Sequence, residues 1–556
     1  MNWRENGTMN ARDTYRKWLE NPHVDEETKA ELRSIEGHDT EITDRFYKDL
    51  EFGTGGLRGI LGVGTNRMNR YTVRRATQGL ADYILEQGNE NQGVVISFDS
   101  RHGSEDFSKE AAMCLCANRI RVFRFSSLRP TPELSYAVRK LGCAAGIMIT
   151  ASHNPAEYNG YKVYWEDGAQ ITAPRDSKII GKVKAAEEGK TVSWEQMTAS
   201  GLYREIGEEI DEAYLSEVKK LVLRPDVLEE MAGKLRIVYT PLHGTGRGPV
   251  AEMFKALGFE QAVMVREQEM PDGDFPTVRY PNPEDPEAFS LALRLAEETN
   301  ADIVLATDPD ADRLGAFVKD GAGEYHELNG NMTGVLLCDY ILSQKKLLGE
   351  LPSNGVVVKT IVTTEMVRRI AETYGVSVTE VLTGFKYIGE KIKEYTESGT
   401  YEYLFGFEES YGCLTGTYAR DKDAVSAAAA LCEAAAYYKR QGITLWDKLT
   451  ELYEIYGHYE EYLRTETYAG PQGMERMKAM MAEMREAPPE AVGGKRIVRI
   501  RDYLAGTILD LRTGERLDTG LPQSDVLYFE LEGGDWYCMR PSGTEPKIKY
   551  YGGSVK

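Results

Sequence analysis

The chain has 556 residues, of which 42% are hydrophobic and 28% charged, with a formal net charge of −21. Such a length allows about four domains, and the composition is that of a globular protein with several separate cores. The acidic surplus disfavours duplex nucleic acid and anionic membrane as partners, so an anionic ligand would have to sit at local basic spots.

Seven cysteines, an odd number, are scattered without paired CxxC units. This argues against a zinc site and for reduced thiols in a cytoplasm. The opening "MNWRENGTMN" is too polar for a signal peptide. The most apolar run, "AVSAAAALCEAAAYY" at 424–438, is broken by Glu433 and is too short to span a bilayer. It reads as a core helix.

In chain order, strands are expected at 94–98, 121–125 and 144–150, with a helix over 132–141 before the third. A charged stretch near 175–215 interrupts. The rhythm resumes with strands at 235–240, 262–265 and 301–307 and helices over 248–258 and 286–299. It resumes again with a strand at 355–359, a helix near 364–374, the strand "VSVTEVL" (376–382) and a helix after Gly384. Three such runs predict three similar α/β domains. A helix near 473–487 is followed by "APPEAVGG" (487–494), which reads as a linker or hinge, and then by short strands and turns. The tail is therefore expected to be a smaller α+β domain. The expected boundaries are 1–208, 209–322, 323–458 and 459–556.

The first polar motif is "FGTGGLRG", Phe52–Gly59, with Arg67, Arg70, Arg74 and Arg75 behind it. Glycines admit an anion to backbone N–H groups and arginine adds charge, although a plain glycine turn fits equally. A dinucleotide fingerprint is excluded because Arg58 stands where the third glycine is needed. Next, the apolar run of "GIMITASHNPAEYNGYK" (146–162) ends by delivering Ser152, His153 and Lys162 to what reads as one loop. Ser152 lacks the G-x-S-x-G setting of an esterase nucleophile. Gly189–Lys190–Thr191 fails as a nucleotide loop because Lys184 replaces the upstream glycine.

"TDPDADR" follows the strand at 301–307. Asp308, Asp310 and Asp312 in one tight turn repel one another unless a cation sits among them, and hard oxygen ligands suit Mg²⁺. A calcium EF-hand loop is excluded, because Arg313 and Lys319 stand where Gly and Glu are required. The alternative is a solvated acidic turn. "TPLHGTGRG" (240–248) and "TGFKYIGEK" (383–391) are further polar loops at strand ends, where α/β sheets bind ligands. "FGFEESYG" (405–412) offers Glu408, Glu409 and Ser410, either to sugar hydroxyls or merely to water. "RPSGTEPKIKYY" (540–551) places Arg540, Ser542, Gly543, Thr544 and Lys547 where they suit a phosphate dianion, or a turn between two strands. A serine oxygen beside a divalent cation, with Lys162 and His153 near, could carry a phosphoryl group, with catalysis by positioning and charge neutralisation.

Taken in order, "TASHNP", "DPDADR", "GFEES" and "RPSGTEP" resemble the motif set of the α-D-phosphohexomutase superfamily over nearly the whole chain. The resemblance implies three α/β domains and a smaller α+β fourth around a central cleft. It implies that Ser152 is the active-site phosphoserine and that its phosphate completes a Mg²⁺ shell with Asp308, Asp310 and Asp312. It assigns His153 and Lys162 to the transferring group, with Lys162 the general acid/base, and has Arg58 and Arg313 neutralise its charge. Lys386, Glu408 and Ser410 would grip the sugar, while Arg540, Ser542, Gly543 and Thr544 would hold the phosphate that is not transferred. The implied reaction interconverts glucose 1-phosphate and glucose 6-phosphate through glucose 1,6-bisphosphate. "GFEESYG" resembles the glucose-type loop and that of a branch containing phosphopentomutases, so pentose and mannose phosphates stay open. The implied protein is a cytoplasmic monomer or weak dimer that acts on a small sugar phosphate.

Overall fold

The structure is a computed structural model and describes residues 10–52, 56–468, 473–542 and 547–556. Three helices, Ala11–Glu20, Glu26–Ser34 and Asp39–Phe46, open it. Asn10 and Asp25 cap the first two by accepting from backbone N–H groups. Tyr15, Leu32, Ile42 and Phe46 form their small core.

The first sheet has the order Gly56–Ile60, Tyr158–Trp165, Ala145–Ile149, Val94–Phe98, Val122–Phe125, Tyr203–Ile206. The last four strands are parallel, and the central ones are apolar on both faces because helices cover both. The charged stretch near 175–215 forms helices Arg175–Ala185, Trp194–Ala199 and Glu208–Lys219 plus the edge strand Tyr203–Ile206, with much of its charge on exposed faces. One expectation needs correction. The segment carrying Lys162 is not a loop but the strand Tyr158–Trp165, antiparallel to both neighbours. Gly160 makes this pairing possible, since a Cβ there would lie 2.4 Å from Thr150 O.

The second sheet runs Tyr325–Leu328, Leu314–Lys319, Ile303–Thr307, Ile237–Thr240, Ala262–Met264. The expected boundary at 322 falls inside the hairpin of Leu314–Lys319 and Tyr325–Leu328, whose turn is closed by Asp320 N–H donating to Glu324 O. The second sheet thus takes in Tyr325–Leu328 beyond that position. The third sheet runs Ser377–Val381, Gly355–Thr360, Glu402–Glu408, Gly412–Leu414.

The fourth sheet runs Tyr459–Thr467, Lys547–Val555, Trp536–Pro541, Leu527–Leu531, Lys495–Asp502, Thr507–Asp510, Arg516–Asp518 and is antiparallel throughout. Helix Gly473–Glu486 lays Met477 and Met481 on Ile497, Leu527 and Phe529. Segment 487–494 is thus internal to this domain and is no inter-domain hinge. It even contributes Ala491–Val492 to a strand pair. The chain enters the domain earlier, where helix Leu445–Tyr456 ends at Gly457, whose φ of 99° suits glycine.

In each of the first three sheets, loops beyond the carboxyl ends of the strands face one cleft. Direct bonds tie them together: Thr131 N–H donates to Asp310 O, Leu314 N–H to Tyr411 O and Ala424 N–H to Ala311 O. Among the described residues, no helix is long and apolar enough to cross a membrane.

Candidate active site

The strand Ala145–Ile149 is wholly buried, and its last turn brings Ser152 to the cleft at 3% exposure. Ser152 has φ 53°, a left-handed conformation that costs a side-chain-bearing residue about 1–3 kcal/mol and persists only when surroundings impose it. The surroundings do. Ser152 N–H donates to Thr150 Oγ1 (2.8 Å), and Thr150 Oγ1 donates to Asp99 Oδ2 (2.6 Å). The buried Arg101 guanidinium donates to the carbonyls of Ser152, Asn154, Pro155 and Tyr158. Arg101 was not singled out from the sequence; its only local signal is an arginine just beyond the strand Val94–Phe98.

Ser152 Oγ donates to Asp308 Oδ2 at 2.8 Å and lies 3.3 Å from His153 Nδ1. Asp308 and Asp310 are fully buried and Asp312 nearly so, with one oxygen from each of the three within 4.8 Å of the others. Ala311 between them also has positive φ (49°). Burial, then the charges of Asp310 and Asp312, push the Asp308 carboxyl well above its ordinary range. Burial would raise Asp310 too, but Lys162 Nζ at 2.7 Å holds it below that range. Asp312 is likewise held low, against burial and Asp310, by Lys422, Lys162 and Arg313.

The donor set fits a hard divalent cation. Asp310 Oδ1 and Asp312 Oδ1 are buried with no hydrogen-bond partner, an arrangement that costs free energy unless a cation completes it. Lys162 Nζ, 3.4 Å from Asp312 Oδ2, and Lys422 Nζ, 3.1 Å from it, neutralise the other side of the cluster. Burial alone would lower the pKa of both lysines, but the aspartates raise it, so both are ammonium. Lys422 is a second cation missed in the sequence, where it hides between Asp421 and Asp423. Gly412 makes room for it, since a Cβ there would lie 2.0 Å from Lys422 Cδ.

The loop at 240–248 turns out to be a support beneath the triad. Thr245 N–H donates to Pro309 O (2.8 Å), and a Cβ on Gly244 would lie 2.5 Å from Pro309 Cα. His243 is spent on Met270 O and Thr277 Oγ1.

Arg58 Nη1 donates to Asn154 Oδ1 at 2.9 Å, beside the serine loop. Arg313 pairs with Glu284 and lies 3.8 Å from Asp312. Burial, then Arg313 and Arg58, push the His153 imidazole well below its usual range, so it is neutral at pH 7. Glu408 ends its strand buried and accepts from Gly384 N–H at 2.8 Å. Burial raises it to about 7. Glu409 and Ser410 line a cavity of about 290 Å³ with Glu284, Lys549 and Tyr551. Tyr411 closes the turn at φ 65°, and its hydroxyl donates to Glu327.

Arg540 comes from the fourth domain; burial opposes its charge, while Tyr551 and Glu409 favour it. Lys549, its partner across the strand pair, has a pKa lowered by burial and by Arg540, and its charge reaches Arg313 and His153. The fourth domain therefore supplies two cations to the cleft, of which Lys549 was not foreseen. Burial lowers Lys386 as well, and Arg540 lies close enough to add to that. Ser542 N–H donates to Lys547 O at 2.8 Å. Gly543 and Thr544, like Gly53–Gly55 of the first motif, lie outside the described residues.

Three layered α/β units and a β-rich fourth, whose loops meet on one serine and three aspartates, have the architecture of the α-D-phosphohexomutases. The chain belongs to the phosphoglucomutase/phosphomannomutase family: residues 49–190, 212–321 and 329–456 match its alpha/beta/alpha domains I, II and III. It is 36% identical over 537 residues to a phosphoglucomutase of Staphylococcus saprophyticus, covering 96% of this chain and 95% of that one. It is also 36% identical over 516 residues to a phosphoglucomutase of Staphylococcus aureus, covering 92% and 91%. In fold it is similar to the open form of pp63/parafusin, a phosphoglucomutase from Paramecium, with TM-score 0.68, 18% identity and coverage of 92% and 91%. A phosphoglucomutase/phosphomannomutase family protein from Burkholderia thailandensis gives TM-score 0.64 at 18% identity, with coverage of 91% and 93%.

Proposed function

We propose that this protein is a phosphoglucomutase that interconverts glucose 1-phosphate and glucose 6-phosphate through a phosphoryl group carried on Ser152. The observation that carries the reading is the Ser152 Oγ–Asp308 Oδ2 bond inside a buried carboxylate triad. The 36% identity to phosphoglucomutases over almost the whole chain supports glucose as the sugar.

The phosphoryl group leaves Ser152 Oγ for the free hydroxyl of the bound sugar phosphate. The P–O bond to serine breaks as the bond to sugar forms, giving glucose 1,6-bisphosphate. The hydroxyl loses a proton and the serine oxygen gains one. Lys162, an ammonium held on Asp310, gives its proton to Ser152 Oγ and recovers one from the hydroxyl, ending as it began. The bisphosphate turns over in the cleft, and its other phosphoryl group returns to Ser152 by the reverse step. Asp308, Asp310 and Asp312 would hold Mg²⁺, which would supply positive charge to the transferring group. Arg58, Arg313 and Lys422 add to it. His153, neutral, sits beside Ser152 Oγ without adding charge. Glu408, Ser410 and Lys386 take the sugar, and Arg540 and Ser542, with Gly543 and Thr544, take the remote phosphate. The substrate is a small sugar phosphate, met in the cytoplasm, where the seven free, buried cysteines stay reduced.

The test is purified protein with Mg²⁺, a trace of glucose 1,6-bisphosphate and, separately, the 1-phosphates of glucose, mannose, N-acetylglucosamine and ribose. Glucose 6-phosphate should form fastest. No isomerisation of any of the four would overturn the proposal.

A further inference from the structure

Lys359 is the penultimate residue of the strand Gly355–Thr360 and has no exposed surface. A buried ammonium is tolerated only when it is paired and fully hydrogen-bonded. Here the parallel register sets Lys359 beside Glu380, 3.3 Å from Nζ to Oε2, and Glu365 lies at 2.7 Å. The same Nζ donates to the carbonyls of Thr360 (3.1 Å) and Thr363 (2.9 Å), pinning the turn that follows the strand.

That turn faces two ways. The hydroxyls of Thr360 and Thr363 are 2.8 Å apart and lie 3.2 and 3.4 Å from Glu409 Oε2, so one hydroxyl donates to the other and the pair donates onward to the carboxylate. Glu409 belongs to the sugar loop, and its charge is felt by Arg540. On the other side Ile361 and Val362 pack into a core made mostly by the fourth domain, with Tyr503, Tyr528 and Trp536. From that domain Arg501 reaches back, Nη1 donating to Glu380 Oε1 at 2.7 Å and Nε to Glu530 Oε1 at 2.7 Å. A continuous path of ion pairs and hydrogen bonds therefore runs from the fourth domain to a carboxylate of the sugar loop, through residues that no motif contains.

We propose that Arg501, Glu380, Lys359, Thr360 and Thr363 form a positioning network that couples the seating of the fourth domain to the placement of Glu409, and so sets affinity for the sugar phosphate. None of the five is a catalytic residue; they act through Glu409. The proposal rests on the phosphoglucomutase reading only for the identity of the ligand.

Two measurements test it on the full-length protein. Hydrogen exchange should be faster in peptides covering 405–414 in Arg501→Ala and in Thr363→Val, with Arg501→Lys intermediate. Thr363→Val keeps every ion pair and guards against a variant that fails to fold. Kinetics with glucose 1-phosphate should show a KM raised about 10-fold in Arg501→Ala, with kcat changed less and the phosphate carried by Ser152 undiminished. In Arg501→Ala/Glu409→Gln, KM should be no higher than in Glu409→Gln alone. Unchanged exchange in 405–414, or KM effects that multiply in the double variant, would overturn the network. Absence of turnover in the unsubstituted protein would instead sink the phosphoglucomutase reading, and the exchange experiment would still decide the network.

Discussion

Ser152 and Asp308 are 156 residues apart in the chain, yet Ser152 Oγ donates to Asp308 Oδ2 at 2.8 Å, joining the first α/β unit to the second. Replacing the serine removes the oxygen that would carry phosphate, while the left-handed turn, Arg101 and Thr150 continue to hold the backbone. Ser152→Ala should therefore abolish isomerisation with little change in thermal stability. Intact mass should show a phosphate-sized adduct on the active parent protein and none on the variant. An active parent that never carries the adduct would contradict the assignment.

Thr131 backs the carboxylate triad from the first α/β unit. Its Oγ1 donates to Asp310 Oδ2 at 2.7 Å, and its N–H to Asp310 O at 2.9 Å. Groups that orient a ligand typically change metal affinity about 10- to 100-fold when removed. Thr131→Val should raise the Mg²⁺ concentration for half-maximal activity by that range, and Asp310→Asn, which removes a ligand charge, by more. Exhaustive chelation should silence the parent enzyme. A Thr131→Val variant with an unaltered Mg²⁺ titration would count against Asp310 as a ligand.

Arg540 faces the sugar loop from the fourth domain. A charge-assisted hydrogen bond contributes about 1.5–3 kcal/mol, or about 10- to 150-fold in affinity. Arg540→Ala should raise KM for glucose 1-phosphate by that factor, and it should leave the phosphate content of Ser152 nearly constant. Steady-state kinetics paired with intact mass separate the two effects. Equal KM in variant and parent would mean that the remote phosphate is held elsewhere.

Glu433 predicts a pH dependence of stability. It is buried in helix Ala424–Arg440 and accepts from Leu223 N–H (2.9 Å), Arg224 N–H (2.6 Å) and Tyr340 Oη (3.0 Å). Burial raises its pKa from 4.5 to about 7. A raised folded-state pKa means that the protonated form favours the fold, so its contribution is complete below pH 4.5 and lost as pH rises through 7. That contribution amounts to about 3 kcal/mol at most. Glu433→Gln keeps the acceptor and removes the titration. Relative to the parent, the variant should gain stability between pH 5 and pH 8.5, as measured by urea midpoints. A difference between the two proteins that does not vary with pH would refute this.

Much of the architecture was legible because it is written locally. The apolar runs at 94–98, 144–150, 301–307 and 355–359 became buried strands, and "DPDADR" became a buried triad because three carboxylates in one turn have few other uses. Each of these signals lies within about ten residues, the range over which strand and turn preferences act. The strand Tyr158–Trp165 escaped because its pairing depends on Gly160 approaching Thr150, a contact that no period reveals. Segment 487–494 looked like a hinge because proline and glycine mark a chain that turns, not what lies on either side of it.

By itself, the sequence determined the family, the order of α/β units and the loops at their strand ends, since all of these follow from short-range pattern and from motifs. To the cations that the motifs name, only the tertiary structure added Arg101, Lys422 and Lys549. Nothing local tells these three apart from other arginines and lysines; Arg101 and Lys422 owe their places to carbonyls and carboxylates brought close by distant parts of the chain, and Lys549 to its strand register opposite Arg540. The same holds for Lys359, which lies buried where folding sets Glu365, Glu380 and two backbone carbonyls around its amine. A buried charge is stable only with all its partners in place at once, and that condition belongs to the assembled fold rather than to any stretch of sequence.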